Sequence, residues 1–206
     1  MFCQKVAAQY RVVLSDYKIT EIPDELKHPQ TAREQQYLRL LQNLLATVKQ
    51  DPMTGLQHKE HFRAQPKGPG VYIMVDGDGL KRINDQFGHA AGHAAILSIS
   101  DGIKMALRAG ETVTRAGGDE FLVHIEGATL SAGVSIARRI LDNIRAQKLS
   151  RHFDGDAELR PKLDALQLSA SLGVGATEAD ADHAMYQAKQ KGRNRVEFFR
   201  RDLKAA

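Results

Sequence analysis

The sequence predicts an α+β fold: a ferredoxin-like domain with a mainly antiparallel central sheet flanked by helices, preceded by an N-terminal helical extension. From residue 71 onwards, apolar runs typical of strands alternate with segments of helical periodicity. Consecutive glycines separate two of these strands, which indicates an antiparallel hairpin. The resulting order, β-α-β-β-α-β, is that of a ferredoxin-like sheet, and we expect its helices on one face.

Composition indicates a globular protein of the cytoplasm. The 206 residues are enough for one domain and an appendage, and 42% hydrophobic with 26% charged residues is ordinary usage. A single cysteine, Cys3, excludes an intramolecular disulfide and a multi-cysteine metal site. No apolar run approaches the roughly 20 residues that span a bilayer, and the first residues lack a signal-peptide pattern. We therefore expect a cytoplasmic location and no membrane partner.

The net charge of +4 does not by itself choose a ligand. With no tryptophan and 6% aromatic residues, the chain has little with which to build a base-stacking surface for single-stranded nucleic acid. A solvated surface of mixed charge explains most of the basic residues. We expect no nucleic-acid partner.

Residues 1–50 are predicted to form two helices. Apolar residues recur at helical spacing from Phe2 to Tyr17, and prolines interrupt that pattern. Thr31 and Glu34 have the spacing of a capping box and mark a second start, whose apolar face runs from Tyr37 to Val48. We expect these stripes to pack on the main domain or on a partner subunit. The predicted divisions are a dimerising or regulatory segment at 1–50, the main domain at 51–200 and a tail at 201–206.

The elements of the main domain follow in a regular order. The apolar run 71–75 is typical of a buried central strand. Strands at 112–114 and 121–125 flank the glycine turn, and further strands are predicted at 166–174 and 196–199. Helices are predicted at about 90–107, 130–147 and 178–191, and the polar stretch 150–161 is predicted to be a loop.

One candidate for chemistry is the segment that follows the buried strand. Asp76 ends an apolar run, where a carboxylate is costly unless a positive group meets it. Mg²⁺ is a natural partner, because it takes hard oxygen ligands and keeps substrate phosphates in its shell. An ordinary strand-to-helix turn, in which aspartate and glycine are common, is the alternative. The Asp76–Gly77–Asp78 start is not that of an EF-hand.

A second candidate is the glycine turn. Asp119 and Glu120 are adjacent carboxylates, which repel each other unless they are exposed or bind a cation. Gly117 and Gly118 carry no side chain, so a ligand can approach their backbone closely. A solvated acidic turn is the alternative.

Together these segments closely resemble the GGDEF family over about residues 51–199. The sequence DPMTGL at 51–56 looks like the entry motif of the family, and 76–85 with Gly88-His89 looks like its metal and nucleotide segment. The signature GGDEF itself stands at 117–121, and 169–174 and 184–194 match the C-terminal motifs. The resemblance implies a palm-type GGDEF catalytic domain.

The resemblance implies a diguanylate cyclase, a nucleotidyltransferase that condenses two GTP molecules into cyclic di-GMP and two pyrophosphates. In such enzymes two metal ions, Mg²⁺ or Mn²⁺, promote attack of a ribose 3′-OH on an α-phosphate. The match assigns those ions to Asp76, the carbonyl of Gly77, Asp119 and Glu120. It also implies catalytic roles for Asp119, which helps to deprotonate the 3′-OH, and for Glu120 and Lys81. Cyclic di-GMP effector proteins would act downstream.

The resemblance also implies the nucleotide contacts. Lys81, Lys189 and Arg193 match phosphate-gripping positions, with help from the backbone at Gly79, Leu80, Gly117 and Gly118, and Asn84 matches a guanine-binding position. Ordinary structural roles are the alternatives, since basic residues favour a helix C-terminus and asparagine often caps a turn.

The first departure from the family pattern is His93, which stands where the family usually has a guanine-binding aspartate. A neutral histidine offers guanine one acceptor instead of two, and a protonated one offers none. Selectivity for guanine should therefore fall. His89 and His93 have a spacing that can bind zinc, but the acid usual between such histidines is missing, and we do not favour zinc there.

The second departure concerns product inhibition. Many relatives carry an Arg-x-x-Asp site that binds cyclic di-GMP, and this chain has Arg108 and Glu111 at the corresponding positions. Glutamate keeps the charge but is longer by one methylene. The resemblance therefore implies a weakened inhibitory site.

The product is a two-fold symmetric ring and one site holds one GTP, so a homodimer is expected. Two other activities remain open: a relaxed cyclase that makes cyclic GMP–AMP or mixed products, motivated by His93, and a catalytically silent GGDEF module. The intact acids Asp76, Asp119 and Glu120 argue against a silent module, because acids that repel when empty bring it no benefit.

Overall fold

The computed structural model describes residue 28 and residues 31–200. The chain divides into two compact units, one ending at Gln65 and one beginning at Pro66. The predicted helix of residues 2–17 and the predicted tail 201–206 lie outside the described residues. The domain limits at 50 and 200 stay predictions.

In the first unit, helix α1 (Ala32–Lys49) begins at the predicted capping box. The Oγ1 of Thr31 accepts from the N–H of Glu34 at 3.2 Å, and the Glu34 carboxylate accepts from the N–H of Thr31 at 3.2 Å. On the predicted apolar stripe, Tyr37 is exposed and Leu38 is half-buried. Strand β1 (Gln57–His58) and helix α2 (Lys59–Ala64) complete this unit.

The second unit contains the predicted sheet and its helices. Its strands are β2 (Gly70–Gly77), β3 (Thr112–Gly117), β4 (Glu120–Glu126), β5 (Ala170–Gly175) and β6 (Arg195–Phe198). Its helices are α3 (Leu80–Phe87), α4 (His89–Ala106), α5 (Leu130–Arg145), α6 (Arg160–Asp164) and α7 (Glu178–Gln190).

The strand order in this unit is β3-β4-β2-β5-β6. Strand β2 is antiparallel to both β4 and β5, and β3 is antiparallel to β4, whereas β5 and β6 are parallel. This confirms the predicted ferredoxin-like, mainly antiparallel sheet. The central position of β2 explains its apolar sequence, because both of its faces are covered.

Helices cover both faces of the sheet, so the expectation of helices on one face was wrong. Gly133 of α5 lies against the side chains of Val71 and Val174, while Gly173 of β5 lies against the backbone of α7. Neighbouring residues of a strand point to opposite faces, so α5 and α7 pack on opposite sides of β5. The hydrophobic pattern could not show this, because a strand buried on both faces does not alternate.

Three other local expectations were wrong in detail. The predicted loop 150–161 contains 3-10 turns at Leu149–Arg151 and Ala157–Leu159 and the start of α6, where Pro161 suits the first turn of a helix. Helix α3 was not predicted. Strand β5 begins at Ala170 instead of 166, because Ala170 pairs with Gly77, the last residue of β2, and the segment before it has no strand beside it there.

The core of the second unit lies between the sheet and its helices. Its largest fully buried side chains include Ile73, Val75, Ile99, Ile103, Phe121, Leu122, Ile140, Ile144, Leu163 and Leu172. Within the described residues, every helix is too short or too polar to cross a membrane.

Candidate functional site

A cleft of about 1050 Å³ opens where β2 ends. Its lining combines the end of β2, the start of α3, the β3–β4 hairpin and the end of α7. Eight residues singled out from the sequence lie on it: Asp76, Gly77, Gly79, Leu80, Lys81, Asp119, Lys189 and Arg193. The fold thus gathers acids and bases from four separate stretches of the chain.

Asp76 and the two acids of the glycine turn are positioned by the sheet register. Asp76 on β2 stands directly opposite Glu120 on β4, and paired residues of antiparallel strands point to the same face. The N–H of Gly77 donates to the carbonyl of Asp119 at 3.1 Å, which ties the hairpin to the end of β2. A Cβ on Gly77 would meet the terminal methyl group of Ile99 on α4, which would then have to shift.

Asp76 is buried and forms an ion pair with Lys189. The Nζ of Lys189 lies 2.7 Å from Oδ2 of Asp76, and the two side chains are 29% and 12% exposed. Burial raises the pKa of Asp76 to about 6; the hydrogen bond and charge of Lys189 oppose that rise, while the charges of Asp119 and Glu120 add to it. The three acids are therefore close enough to repel one another.

These acids fit a divalent cation in their chemistry, since Mg²⁺ and Mn²⁺ take carboxylate and carbonyl oxygens. They do not form a finished ligand set: in the described part of the chain, no group of three His, Cys, Asp or Glu side chains is arranged to hold a metal ion. The Asp76 carboxylate instead bonds the ammonium of Lys189. A buried acid that two neighbouring acids destabilise is nevertheless a position where a dication would be favourable.

The glycine turn is shaped by its own backbone and by Arg115. Residues 118 and 119 connect β3 to β4, and Gly118 has φ +46°, a left-handed conformation that favours glycine. The register shifts between Arg115 and Gly117, which marks a bulge in the strand. The guanidinium of Arg115 donates from Nε and Nη2 to the carbonyl of Gly118 at 2.8 and 2.6 Å. Arg115 therefore orders the turn that carries Asp119.

Asp78 is a structural residue that the sequence reasoning did not identify. Its carboxylate accepts from the hydroxyls of Ser169 and Ser171 at 2.9 and 2.8 Å and from the N–H of Asn194 at 3.0 Å. Three donors occupy this acid, which distinguishes it from Asp76. The alternation of Ser169 and Ser171 within the predicted strand 166–174 was the available signal, because both hydroxyls then point to one face.

Other predicted residues lie off the lining of this cleft. Asn84 and His93 are near the junction of α3 and α4, where the Asn84 side chain packs against Gly92 and His93 is exposed. Gly117, Gly118 and Glu120 also lie off the lining.

Arg108 and Glu111 form a turn between α4 and β3, apart from the cleft. The Glu111 carboxylate accepts from the backbone N–H of Arg108 at 2.7 Å.

Comparison with known proteins gives consistent results. The family model described as "Diguanylate cyclase, GGDEF domain" matches residues 48–195. Diguanylate cyclase A of Treponema denticola is 30% identical over 186 residues, which are 79% of this chain and 47% of that protein, so the chain spans about half the length of this curated relative.

The solved structures that resemble the chain include two GGDEF domains. The GGDEF domain of PA1120 (TpbB or YfiN) from Pseudomonas aeruginosa has a TM-score of 0.63 at 26% identity, over 73% of this chain and 94% of that one. The coiled coil and GGDEF domain of DgcB from Caulobacter crescentus, solved with c-di-GMP, has a TM-score of 0.68 at 22% identity, over 81% of this chain and 94% of that one. The second likeness shows the fold alone.

Proposed function

The chain belongs to the GGDEF domain family of diguanylate cyclases, and from this membership we propose that it condenses two GTP molecules into cyclic di-GMP and two pyrophosphates. The observation that carries the proposal is that one cleft is lined both by Asp76 and Asp119 and by four basic side chains, those of Lys81, Arg82, Lys189 and Arg193. Phosphoryl transfer uses acids together with cations that bind phosphate oxygens, and this cleft contains both.

Three cations of the cleft are proposed to hold the triphosphate. Lys81 lies at the start of α3, Lys189 near the end of α7, and Arg193 in the turn that follows α7. Charge-assisted hydrogen bonds to phosphate oxygens are strong, and Arg193 can make two in parallel. The N–H groups at Gly79 and Leu80 begin α3 without a side-chain cap, so they can add further donors.

The acids are proposed to serve the attacking 3′-OH. The oxygen of one ribose 3′-OH bonds to the α-phosphorus of the facing GTP, pyrophosphate leaves, and Asp119 helps to accept the proton; the same step repeated closes the ring. Asp76, the Gly77 carbonyl, Asp119 and Glu120 are proposed to hold two Mg²⁺ or Mn²⁺ ions. When bound, such ions polarise the hydroxyl and stabilise charge on the leaving group.

The homodimer is part of this proposal. Each copy supplies one GTP, and the ring closes only if two cleft-bound nucleotides face each other. Exposed Tyr37 and Leu40 support an association through α1.

A product assay tests the proposed activity. We expect purified protein with Mg²⁺ and GTP to yield cyclic di-GMP and pyrophosphate, identified by mass spectrometry, and Asp119→Ala to abolish both. The matched control is Asp182→Ala, an exposed acid on α7 that should leave turnover unchanged. Equal zero turnover of wild type and Asp119→Ala, with Mg²⁺ and with Mn²⁺, would instead support a silent module.

A second candidate is a relaxed cyclase that also makes cyclic GMP–AMP. It is favoured by the exposed position of His93 near the start of α4, directly after the glycine on which Asn84 packs. With equimolar GTP and ATP, we expect His93→Asp to raise the share of cyclic di-GMP. An unchanged product ratio would remove His93 from the base-binding site, and exclusive cyclic di-GMP from wild type would dismiss the relaxed cyclase.

Product inhibition is proposed to be weak. The Glu111 carboxylate is engaged with the backbone of its own turn, so binding a nucleotide there would have to replace that bond. We expect Glu111→Asp, which restores the shorter acid, to lower the cyclic di-GMP concentration for half-inhibition. If the two proteins are inhibited alike, the length of this side chain does not weaken the site.

A further inference from the structure

The turn after α7 has a backbone conformation that needs support. Gly192, Arg193 and Asn194 have φ of 105°, 61° and 50°, and in the described part of the chain Arg193 and Asn194 are the non-glycine residues with positive φ. Side chains make this conformation unfavourable, so two such residues in a row persist only where their surroundings hold them. Functional sites are where this kind of strain is commonly retained.

Two side chains hold Asn194 from different elements. The Asp78 carboxylate, just after β2, accepts from its N–H at 3.0 Å. Arg145, the last residue of α5, donates from Nε to Oδ1 of Asn194 at 2.9 Å and from Nη2 to its carbonyl at 3.0 Å. These three bonds engage the N–H, the carbonyl oxygen and the side-chain oxygen of Asn194.

Both supports are themselves fixed. Asp78 also accepts from Ser169 and Ser171, which lie before and within β5. Arg145 donates from Nη1 to Asp142 one turn earlier at 3.0 Å, so the guanidinium is oriented from its own helix. The network spans α5, the end of β2 and β5, which are rigid elements of the second unit.

The supported turn presents a cation to the cleft. Arg193 lies on the lining, and its N–H donates to the carbonyl of Ala188 at 2.9 Å, so its main chain is attached to the end of α7. Arg145 is not on the lining. Asp78 is on the lining, but three donors already occupy its carboxylate. Neither residue needs to touch a nucleotide in order to determine where Arg193 stands.

We propose that Arg145 and Asp78 are positioning residues that hold the 192–194 turn in its left-handed conformation and thereby aim Arg193 at the phosphates of the bound nucleotide. The inference rests on the proposed function, because it takes the triphosphate of GTP as the ligand of Arg193. Loss of Arg145 removes two of the three bonds and lets the turn relax, so it should weaken the phosphate contact without altering the acids of the cleft.

A double-mutant cycle tests whether Arg145 acts through Arg193. We expect Arg145→Ala to raise the KM and the Kd for GTP by about 5-fold, with kcat nearly unchanged. Binding of guanosine, which has no phosphates, should not change. In an Arg193→Ala background, the same substitution should have no further effect on GTP, because the contact it positions is already gone.

The matched control is Arg138→Ala, an exposed arginine on the same helix, which should bind GTP like wild type. Arg145→Lys, which can satisfy one Asn194 acceptor instead of two, should be intermediate and preserves the positive charge. Thermal melting of each variant separates unfolding from a local change.

Two results would overturn the inference: equal GTP affinity in Arg145→Ala and wild type, or an Arg145→Ala effect that persists undiminished without Arg193. Both results are measured as GTP affinity. A failure of the proposed function would be seen in a different measurement, because wild type would then form no cyclic di-GMP.

Discussion

At the scale of single residues, Asp76 and Lys189 show how a buried acid is stabilised before any nucleotide binds. The ammonium 2.7 Å from the carboxylate offsets part of the cost of burial, and two further acids raise that cost. A lysine in this place has two possible partners, the carboxylate and a phosphate. A divalent cation at Asp76 would therefore compete with Lys189 for the same oxygens.

Lys189→Met tests this competition with metal alone. We expect Mn²⁺ to bind the nucleotide-free variant several-fold more tightly than wild type, because a repelling charge beside Asp76 is removed. GTP should bind more weakly, because a phosphate partner is lost. Titration calorimetry measures both.

The matched control is Lys191→Met, whose ammonium bonds Glu197 at 2.6 Å instead of Asp76. If Mn²⁺ bound Lys189→Met no better than wild type, Lys189 and the metal would not share Asp76.

His124 is a second residue whose protonation should affect the stability of the fold. It is buried on β4, and the centre of its ring lies 4.7 Å from that of Tyr72. Burial and the nearby charge of Lys67 lower the pKa of His124. The charge of Glu126 and a hydrogen bond with the backbone of Gly68 oppose this lowering. The folded state thus holds fewer protons on His124 than the unfolded state, whose pKa stays near 6.5. The stability that neutral His124 contributes is fully present above the unfolded-state pKa. It is lost as the pH falls through the lowered pKa of the folded state.

His124→Phe should make stability less dependent on pH. We expect the urea midpoint of wild type to fall more than that of the variant between about pH 7.5 and pH 5.5, since phenylalanine keeps the ring but takes no proton. Equal losses in the two proteins would assign the acid sensitivity to other groups.

At the scale of elements, the contact of α3 with α4 depends on Gly92, which has no side chain. Gly92 is buried, and any Cβ there would overlap the end of the Asn84 side chain. Asn84 is the residue whose match implies guanine binding, and His93 comes next in the chain. The two helices therefore meet at the position that sets where Asn84 and His93, the side chains proposed to recognise the base, are located.

Gly92→Ala should displace Asn84 without unfolding the domain. Alanine favours a helix by about 1 kcal/mol over glycine, which offsets part of the cost of moving a flexible side chain. We expect guanosine affinity to fall to that of Asn84→Ala, measured by calorimetry. In the Asn84→Ala background, Gly92→Ala should cause no further loss, and an additional loss would show that Asn84 is not what the methyl displaces.

At the scale of the whole molecule, the symmetry of the proposed product requires two copies of the site. Nothing within one cleft supplies a second nucleotide in reversed orientation. The rate per protein should therefore depend on how many chains are paired.

Dilution tests this dependence. We expect specific activity to fall with protein concentration below the dimer dissociation constant, because monomers hold GTP without a facing partner. Sedimentation across the same range should show the dimer dissociating in parallel. Constant specific activity in a range where only monomers sediment would contradict the dimer.

Much of the fold and part of the site could be predicted from local sequence. The capping box at Thr31 and the glycine turn at 117–118 depend on neighbouring residues, so their chemistry is visible in the chain. Strand β2 was visible because a continuous apolar run of that length is buried wherever it lies. The resemblance to the GGDEF family added predictions for the site residues that lie within the family motifs.

Other features depended on residues far apart in the chain. The start of β5 at Ala170 depends on where β2 ends, and the role of Asp78 depends on Ser169, Ser171 and Asn194, which are more than 90 positions away. The pairing of Lys189 with Asp76 spans 113 positions. Periodicity carries no information on such pairs.

The sequence by itself determined most of the strands and helices of the second unit and placed acids at the end of β2 and in the glycine turn, because backbone preference and apolar spacing act over a few residues. Only the tertiary structure decided that Asp76 takes Lys189 as its partner, that Asp78 supports a strained turn, and that helices cover both faces of the sheet. Those outcomes depend on which side chains meet after the chain has packed, and hydrogen bonds and ion pairs form only over a few ångströms.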